Sequence, residues 1–281
     1  MIRSDGKTWP PNYFAKRWNR VRQRLLQLLA REVEIVDGKL RYRFQCESLL
    51  EFKRCMKFFI KEPGTIEWIR TEVHPGDIFY DIGANIGIYT IFAAYHTGES
   101  GKVFAFEPHS PSFTKLLQNI ALNKLQNIII PCNFALHDEH GYFPFNYSSS
   151  EAGSSDSQLS SVRGAFDAQY RPDITELKHA VSIDSLLASK KFSAPHHVKI
   201  DVDGNEYLIL RGMSKLLQSI ERPRSIQVEV IKRNDADILS FMESHNYVLS
   251  EKHYTRGPSR RIAQGDDPAD YHYNGIFRPV S

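Results

Sequence analysis

Cysteine is scarce in this chain: three in 281 residues, at positions 46, 55 and 132, with no C-x-x-C pair. That argues against a disulfide framework or a zinc knuckle and fits a reducing compartment, the cytoplasm. Long apolar runs are missing, so no segment reaches membrane-spanning length. The opening stretch MIRSDGKTWPPNYF has no apolar centre of a secretory leader. An excess of one charge is missing too. The net charge is +3, so nothing global calls for a polyanion, and no nucleic-acid partner is expected. Internal repeats are absent. What remains is ordinary globular composition, 41% hydrophobic and 25% charged, enough for one large domain or a domain with an extension.

Residues 13–31 have helical spacing. Phe14, Trp18, Val21, Leu25, Leu28 and Leu29 share one face, and Lys16, Arg17, Arg20, Arg22, Arg24 and Arg31 fill much of the rest. Such a helix packs its stripe on a domain, or it is drawn to an anionic membrane surface. Residues 33–36 and 40–45 suit a hairpin around Asp37-Gly38, and 47–72 read as helix broken near Pro63-Gly64. From residue 77, strand and helix patterns alternate, which predicts a mostly parallel sheet flanked by helices. The exception lies within 141–180. Ser148–Ser161 holds eight serines in fourteen residues, too polar to pack a core. It reads as a surface loop or as a lid over a pocket.

Four constellations carry chemistry. The first is FYDIGANIGIYTIFAA, where Asp81, Gly83, Asn85, Ile86 and Gly87 sit between a strand and a helix. The glycines would let backbone approach a ligand, and free amides at the helix start would face it. The spacing is G-x-N-x-G, not the G-x-G-x-x-G of a dinucleotide site. A carboxylate two residues earlier repels a diphosphate and attracts an amino group. The second is Glu107, followed by Pro108, at the end of the neighbouring strand, where an acid can accept both hydroxyls of a ribose. An amino-acid end and a ribose together describe S-adenosylmethionine. The third is Lys199, Asp201, Asp203 and Glu206 in VKIDVDGNEY. A lysine in an apolar strand needs a partner, and Asp201 at the strand end is placed beside a transferable methyl group. Asp203 and Glu206 also suit capping and first-turn positions. The fourth is Glu229 in IQVEV, facing Asp201 across the pocket mouth. These acids can hold a divalent cation, or one can serve as base. Asn133 and Ala135 follow the third strand and border the place for an adenine. His137 is a weaker base candidate, and a solvated histidine is its plainer reading.

DIGANIGIYTIFAA, GKVFAFEPHSPSFTKLLQNIALN, NFALHDEHG, VSIDSLL and VKIDVDGNEYLILRGM, in that order, resemble the FkbM family of S-adenosylmethionine-dependent methyltransferases over roughly residues 62–250. The resemblance implies a Rossmann-like class I fold with a seven-stranded sheet. It also implies methyl transfer to a hydroxyl of a sugar, glycan or secondary metabolite. The family pattern D-V-E-G-x-E stands here as D-V-D-G-N-E, which shortens Asp203 by one methylene. Residues 1–60 lie outside the resemblance and are expected as a helical extension with a small hairpin, and 61–281 as the methyltransferase domain. An NAD(P)-dependent sugar oxidoreductase and a non-catalytic nucleotide-binding scaffold are the rival readings.

Overall fold

The computed structural model describes residues 31–162 and 170–280. The helix expected over 13–31 lies outside them, apart from Arg31, which opens a strand. The chain begins with an antiparallel hairpin, β1 (Arg31–Asp37) and β2 (Leu40–Cys46). Three short helices follow: α1 (Leu49–Met56), α2 (Phe58–Lys61) and α3 (Pro63–Glu72). Ser48 caps α1 by accepting from the Glu51 amide, and Pro63 takes the first turn of α3, where no amide partner is needed.

Alternation then runs through β3 (Ile78–Ile82), α4 (Ile88–Thr97), β4 (Lys102–Phe106), α5 (Ser110–Leu122) and β5 (Ile129–Cys132). The chain next builds a small separate sheet from β6 (Ala135–Leu136), β7 (Gly141–Tyr147), β8 (Gln158–Leu159) and β9 (Ile174–Val181). It returns through α6 (Ile183–Ala188), β10 (His197–Ile200), α7 (Glu206–Arg211), α8 (Ser214–Leu217) and β11 (Ser225–Val230). It finishes with α9 (Asp235–Ser244), β12 (Tyr247–His253), α10 (Arg256–Ile262) and β13 (Tyr273–Pro279).

The main sheet has seven strands in the order β12-β13-β11-β10-β3-β4-β5. All neighbours are parallel except β13, which runs antiparallel to β11 and β12. Strand order reverses between β3 and β10, which opens a crevice beyond their carboxyl ends. Side-chain alternation divides the core. Phe79, Val103 and Ile129 pack under the hairpin, α3 and α4, whereas Tyr80, Phe104, Val198 and Val228 pack against helices on the other face.

Segment 141–180 departs from the expectation. It forms most of the small sheet, and Gln158 and Leu159 inside the serine-rich stretch are buried. Leu159 packs with Phe145 and Tyr147, so two non-serine residues anchor a stretch whose composition alone reads as solvated.

The hairpin joins the sheet through side-chain amides. Tyr42, Phe44 and Cys46 alternate into the core, which turns the Arg43 and Gln45 backbone outward along the free edge of β2. Asn119 Oδ1 accepts the Gln45 amide at 2.8 Å, and its Nδ2 donates to the Ile86 carbonyl at 2.8 Å. One turn later Asn123 accepts from the Arg43 amide at 2.9 Å and donates to its carbonyl at 2.6 Å. Two asparagines of α5 thus stand in for a missing strand. Asn119→Ala strands two buried backbone groups, and urea unfolding should read a loss of about 2 kcal/mol or more.

Candidate active site

The loop from β3 to α4 passes through left-handed backbone at Gly83, Asn85 and Gly87, with φ of 83°, 51° and 89°. A side chain on Gly83 would overlap the Asp201 carbonyl, and one on Gly87 would meet Leu116. The approach of Asp201, just past β10, and of Leu116 in α5 therefore requires glycine at both positions, a constraint the sequence did not reveal. The Gly83 and Ala84 amides both donate to the Phe106 carbonyl at 3.0 Å, which ties the loop to the end of β4.

Beneath this loop lies a buried ionic row. In register, Lys199 neighbours Asp81 on one side and Gln227 on the other. Its ammonium lies 3.0 Å from Asp201 Oδ2, 3.7 Å from Asp81 Oδ1 and 5.2 Å from the centre of the Tyr89 ring. Thr90 donates to the other Asp81 oxygen at 2.5 Å. Burial opposes the charge on Lys199, but Asp201 and Asp81 hold it above the ordinary lysine range. Burial likewise opposes ionisation of Asp201, and Lys199 with Lys61 outweighs it, so that carboxyl stays below the usual range. Burial dominates at Asp81 and raises it.

Two cavities open at the carboxyl ends of the strands. The first, about 670 Å³, runs between Glu107, Phe106, Phe134 and Ala135 on one side and Asp201–Asp203 on the other. Both Glu107 oxygens are held by amides, of Asn85 at 2.6 Å and His109 at 2.7 Å. Burial nevertheless pushes Glu107 up to about 7 against their pull. The second cavity, about 1090 Å³, lies between the sheet end and the α1–α2 segment, with Lys199, Asp201, Asp203 and Glu229 on its sheet side. Gly83, Asn85, Ser155, Asp201 and Asp203 line both.

The serine-rich stretch spans the junction. Ser154 accepts the Asn85 side-chain amide at 2.8 Å, and the Asp156 amide donates to Asp203 at 2.8 Å. From the other side, Arg54 bonds the Gly153 carbonyl and, at 2.7 Å, Ser155 Oγ.

With that geometry in view, the comparison with known proteins is specific. The methyltransferase FkbM domain model matches residues 81–249. The chain belongs to the FkbM methyltransferase family. The family is one of S-adenosylmethionine-dependent enzymes of methyl transfer, so its cofactor is S-adenosylmethionine. The chain is 28% identical over 178 residues to the hexuronic acid methyltransferase AglP of Haloferax volcanii, covering 63% of this chain and 66% of that one. It is 26% identical over 204 residues to the 31-O-demethyl-FK506 methyltransferase FkbM of Streptomyces tacrolimicus, covering 63% of this chain and 75% of that one. Among solved structures, the methyltransferase FkbM of Methylobacillus flagellatus aligns at a TM-score of 0.47 and 14% identity, over 76% of this chain and 50% of that one.

Within this FkbM domain the sequence-derived residues separate into three groups. Gly83, Asn85, Glu107, Pro108, Ala135 and Asp201 line the first cavity, and Lys199, Asp201, Glu229 and Ile86 line the second. Asp81, Gly87 and Asn133 line neither. Asp81 is closed off by Thr90 and Lys199, and Asn133 donates to the Glu107 carbonyl at 2.7 Å while accepting from Lys178 at 3.0 Å. Glu206 accepts the Val202 and Gly204 amides at 3.1 and 2.9 Å, which fixes the turn carrying Asp203. His137 is not solvated: it is buried against Phe143 and lines neither cavity. The sequence reading missed Phe134, Tyr89 and the cationic side chains of α1–α2, because none belongs to a motif of fixed spacing.

Removing Lys199 leaves Asp81 buried without a counter-charge and takes from Asp201 the nearer of its two cations. Lys199→Met should cost about 3–5 kcal/mol near neutral pH, by urea unfolding. Asp81 and Asp201 would then titrate higher in the folded protein than in the unfolded chain. The stability they allow is therefore present at low pH and lost as pH rises through those raised values, so the deficit should be larger at pH 8 than at pH 5.

Proposed function

We propose that this chain is an O-methyltransferase that carries a methyl group from S-adenosylmethionine to a hydroxyl of a sugar, glycan or small metabolite. The observation that carries the reading is the shared wall of the two cavities, where Asp201 and Asp203 reach both. Group transfer needs donor and acceptor in separate chambers with their reacting ends at one place. The relatives support the acceptor class, since one is named for hexuronic acid and the other for demethylated FK506. The first cavity disfavours an NAD(P)-dependent oxidoreductase. Glu107, Asp201 and Asp203 stand in it with no lysine or arginine among the described lining residues, so a diphosphate would meet like charge. An acidic junction between two chambers serves no purpose in a non-catalytic scaffold.

In the first cavity Glu107 takes the ribose hydroxyls, and Pro108 and Ala135 border the base beside Phe106 and Phe134. Gly83 and Asn85 line the amino-acid end, with Asp81, Ile86 and Gly87 supporting that wall from behind, and Asn133 holds the Glu107 and Pro108 carbonyls on the base side. S-adenosylmethionine, when bound, supplies an electrophilic methyl group, so the protein has to position the acceptor and remove its proton. Asp201 orients the hydroxyl and takes its proton, and Lys199 keeps Asp201 ionised. Held below the usual carboxylate range, Asp201 is a weak base, and orientation is its larger contribution. A second version has Asp201, Asp203 and Glu229 holding a divalent cation, which would lower the pKa of the acceptor hydroxyl. Their ligand atoms lie within 4.8 Å of one another.

On this reading residues 61–281 are the catalytic domain and 1–60 an extension whose described part walls the acceptor side. The basic helix expected over 13–31 is the candidate for contact with a membrane surface. Among the described residues no helix is long and apolar enough to cross one. The cytoplasm is the compartment proposed, on the scarcity and spacing of cysteine in the sequence.

Asp201→Asn should cut turnover by roughly two orders of magnitude while S-adenosylhomocysteine still binds. Near-normal turnover on a verified acceptor would remove Asp201 from the mechanism. Activity lost to a chelator and restored by magnesium would select the metal version, and indifference to chelator the direct one.

Glu107→Ala should weaken S-adenosylhomocysteine by about 1.5–3 kcal/mol in calorimetric titration. Because Glu107 ionises near 7, affinity should rise from pH 6 to pH 8 as the acceptor carboxylate forms, and Glu107→Gln should flatten that rise. Binding of NAD in place of S-adenosylhomocysteine would reverse the assignment.

A further inference from the structure

The second cavity has two walls of opposite charge. At the sheet end Asp201, Asp203 and Glu229 outnumber Lys199, whereas Lys53, Arg54, Lys57 and Lys61 come from the α1–α2 segment. Lys53, Lys57 and Lys61 recur at every fourth residue, so one side of that segment is cationic along its length. Two of the four cations are occupied. Lys61 pairs with Glu62 at 2.6 Å, and Arg54 holds the serine-rich stretch. Lys53 and Lys57 have no carboxylate within ion-pair distance among the described residues, although both border the chamber.

A solvated basic face is the ordinary fate of such lysines, and it needs no cavity beside it. Here the opposite side of α1 is fixed in the core through Cys55 and Glu51. That orientation commits the lysines to the chamber wall. A neutral sugar would use neither wall fully. An acceptor with a negative group at one end and a hydroxyl at the other matches both. Repulsion from Asp201 and Asp203 keeps the negative group away from the junction, so only the hydroxyl end arrives there. The segment that supplies the lysines precedes residues 81–249, the part matched by the family domain.

We propose that the acceptor is anionic, carrying a carboxylate or a phosphate that Lys53 and Lys57 hold while its hydroxyl is presented to Asp201. This rests on the O-methyltransferase reading.

The test uses the full chain with S-adenosylhomocysteine bound, and three probes: methyl glucuronoside, glucose phosphate and methyl glucoside. Calorimetry should give at least one anionic probe about a tenfold advantage over the glucoside, as expected for a charged group held by lysine. The advantage should shrink as salt rises, because the cations are exposed. It should fall about tenfold in the Lys53→Gln/Lys57→Gln double variant, whose binding of S-adenosylhomocysteine shows that it is folded. Preference for the glucuronoside assigns a carboxylate, and preference for glucose phosphate assigns a phosphate. No anionic preference, or a preference that survives the double substitution, overturns the proposal. Failure of the unaltered chain to bind S-adenosylhomocysteine would instead overturn the reading beneath it.

Discussion

One ammonium group inside the sheet governs the site. Lys199 is 1% exposed and sits in the middle of a mostly parallel sheet, between Asp81 of β3 and Gln227 of β11. It is tolerable there only because Asp81 and Asp201 reach it from β3 and from the end of β10. That requirement fixes the register of the two central strands, since a slip by one residue would turn Lys199 or Asp81 to the opposite face. It also places Asp201 with one oxygen on Lys199 and its carboxyl open to both cavities. The same pairing that makes the buried charge affordable therefore sets the position of the acid to which catalysis is assigned.

A second layer holds that acid in place. Glu206, fully buried, gathers the amides of Val202 and Gly204, and Asp203 takes left-handed backbone with φ of 61°. Burial pushes Glu206 up to about 7 and Asp203 up to about 6. Four carboxyls in one small region thus sit in four different environments. Asp201 alone has a full counter-charge, and Glu229 is raised well above the ordinary range by burial and by the charges of Asp201 and Asp203. The differences follow from what each group touches, not from residue type.

Much of this was legible in the sequence for a physical reason. The main sheet announces itself through apolar runs that alternate with helical stripes, and the D-I-G-A-N-I-G loop marks where the strand order reverses. Lys199 could be read as a paired charge because a lone lysine in an apolar strand has no other stable fate. Glycine chemistry was harder. The need for glycine at 83 and 87 was visible, but its cause lies in Asp201 and Leu116, more than a hundred and nearly thirty residues away. The β8 strand of the small sheet was hidden by the serines, because Gln158 and Leu159 alone carry the stretch onto Phe145 and Tyr147. The cationic wall was invisible for a different reason. Lys53 and Lys57 read as surface lysines until the fold sets their helix beside the crevice.

Asn119 and Asn123 touch only backbone atoms of the hairpin, through Arg43 and Gln45. A dock that reads mostly main chain is tolerant of the side chains it receives, the Arg43 guanidinium on the Leu122 carbonyl apart. Any hairpin that keeps three inward apolar positions and leaves that edge free can therefore be seated on α5, whatever residues it carries outward. The helical segment behind it would travel with the exchange. Recombination at this joint can thus hand the same catalytic body a different antechamber, with the Arg54 hold on Gly153 and Ser155 exchanged along with it.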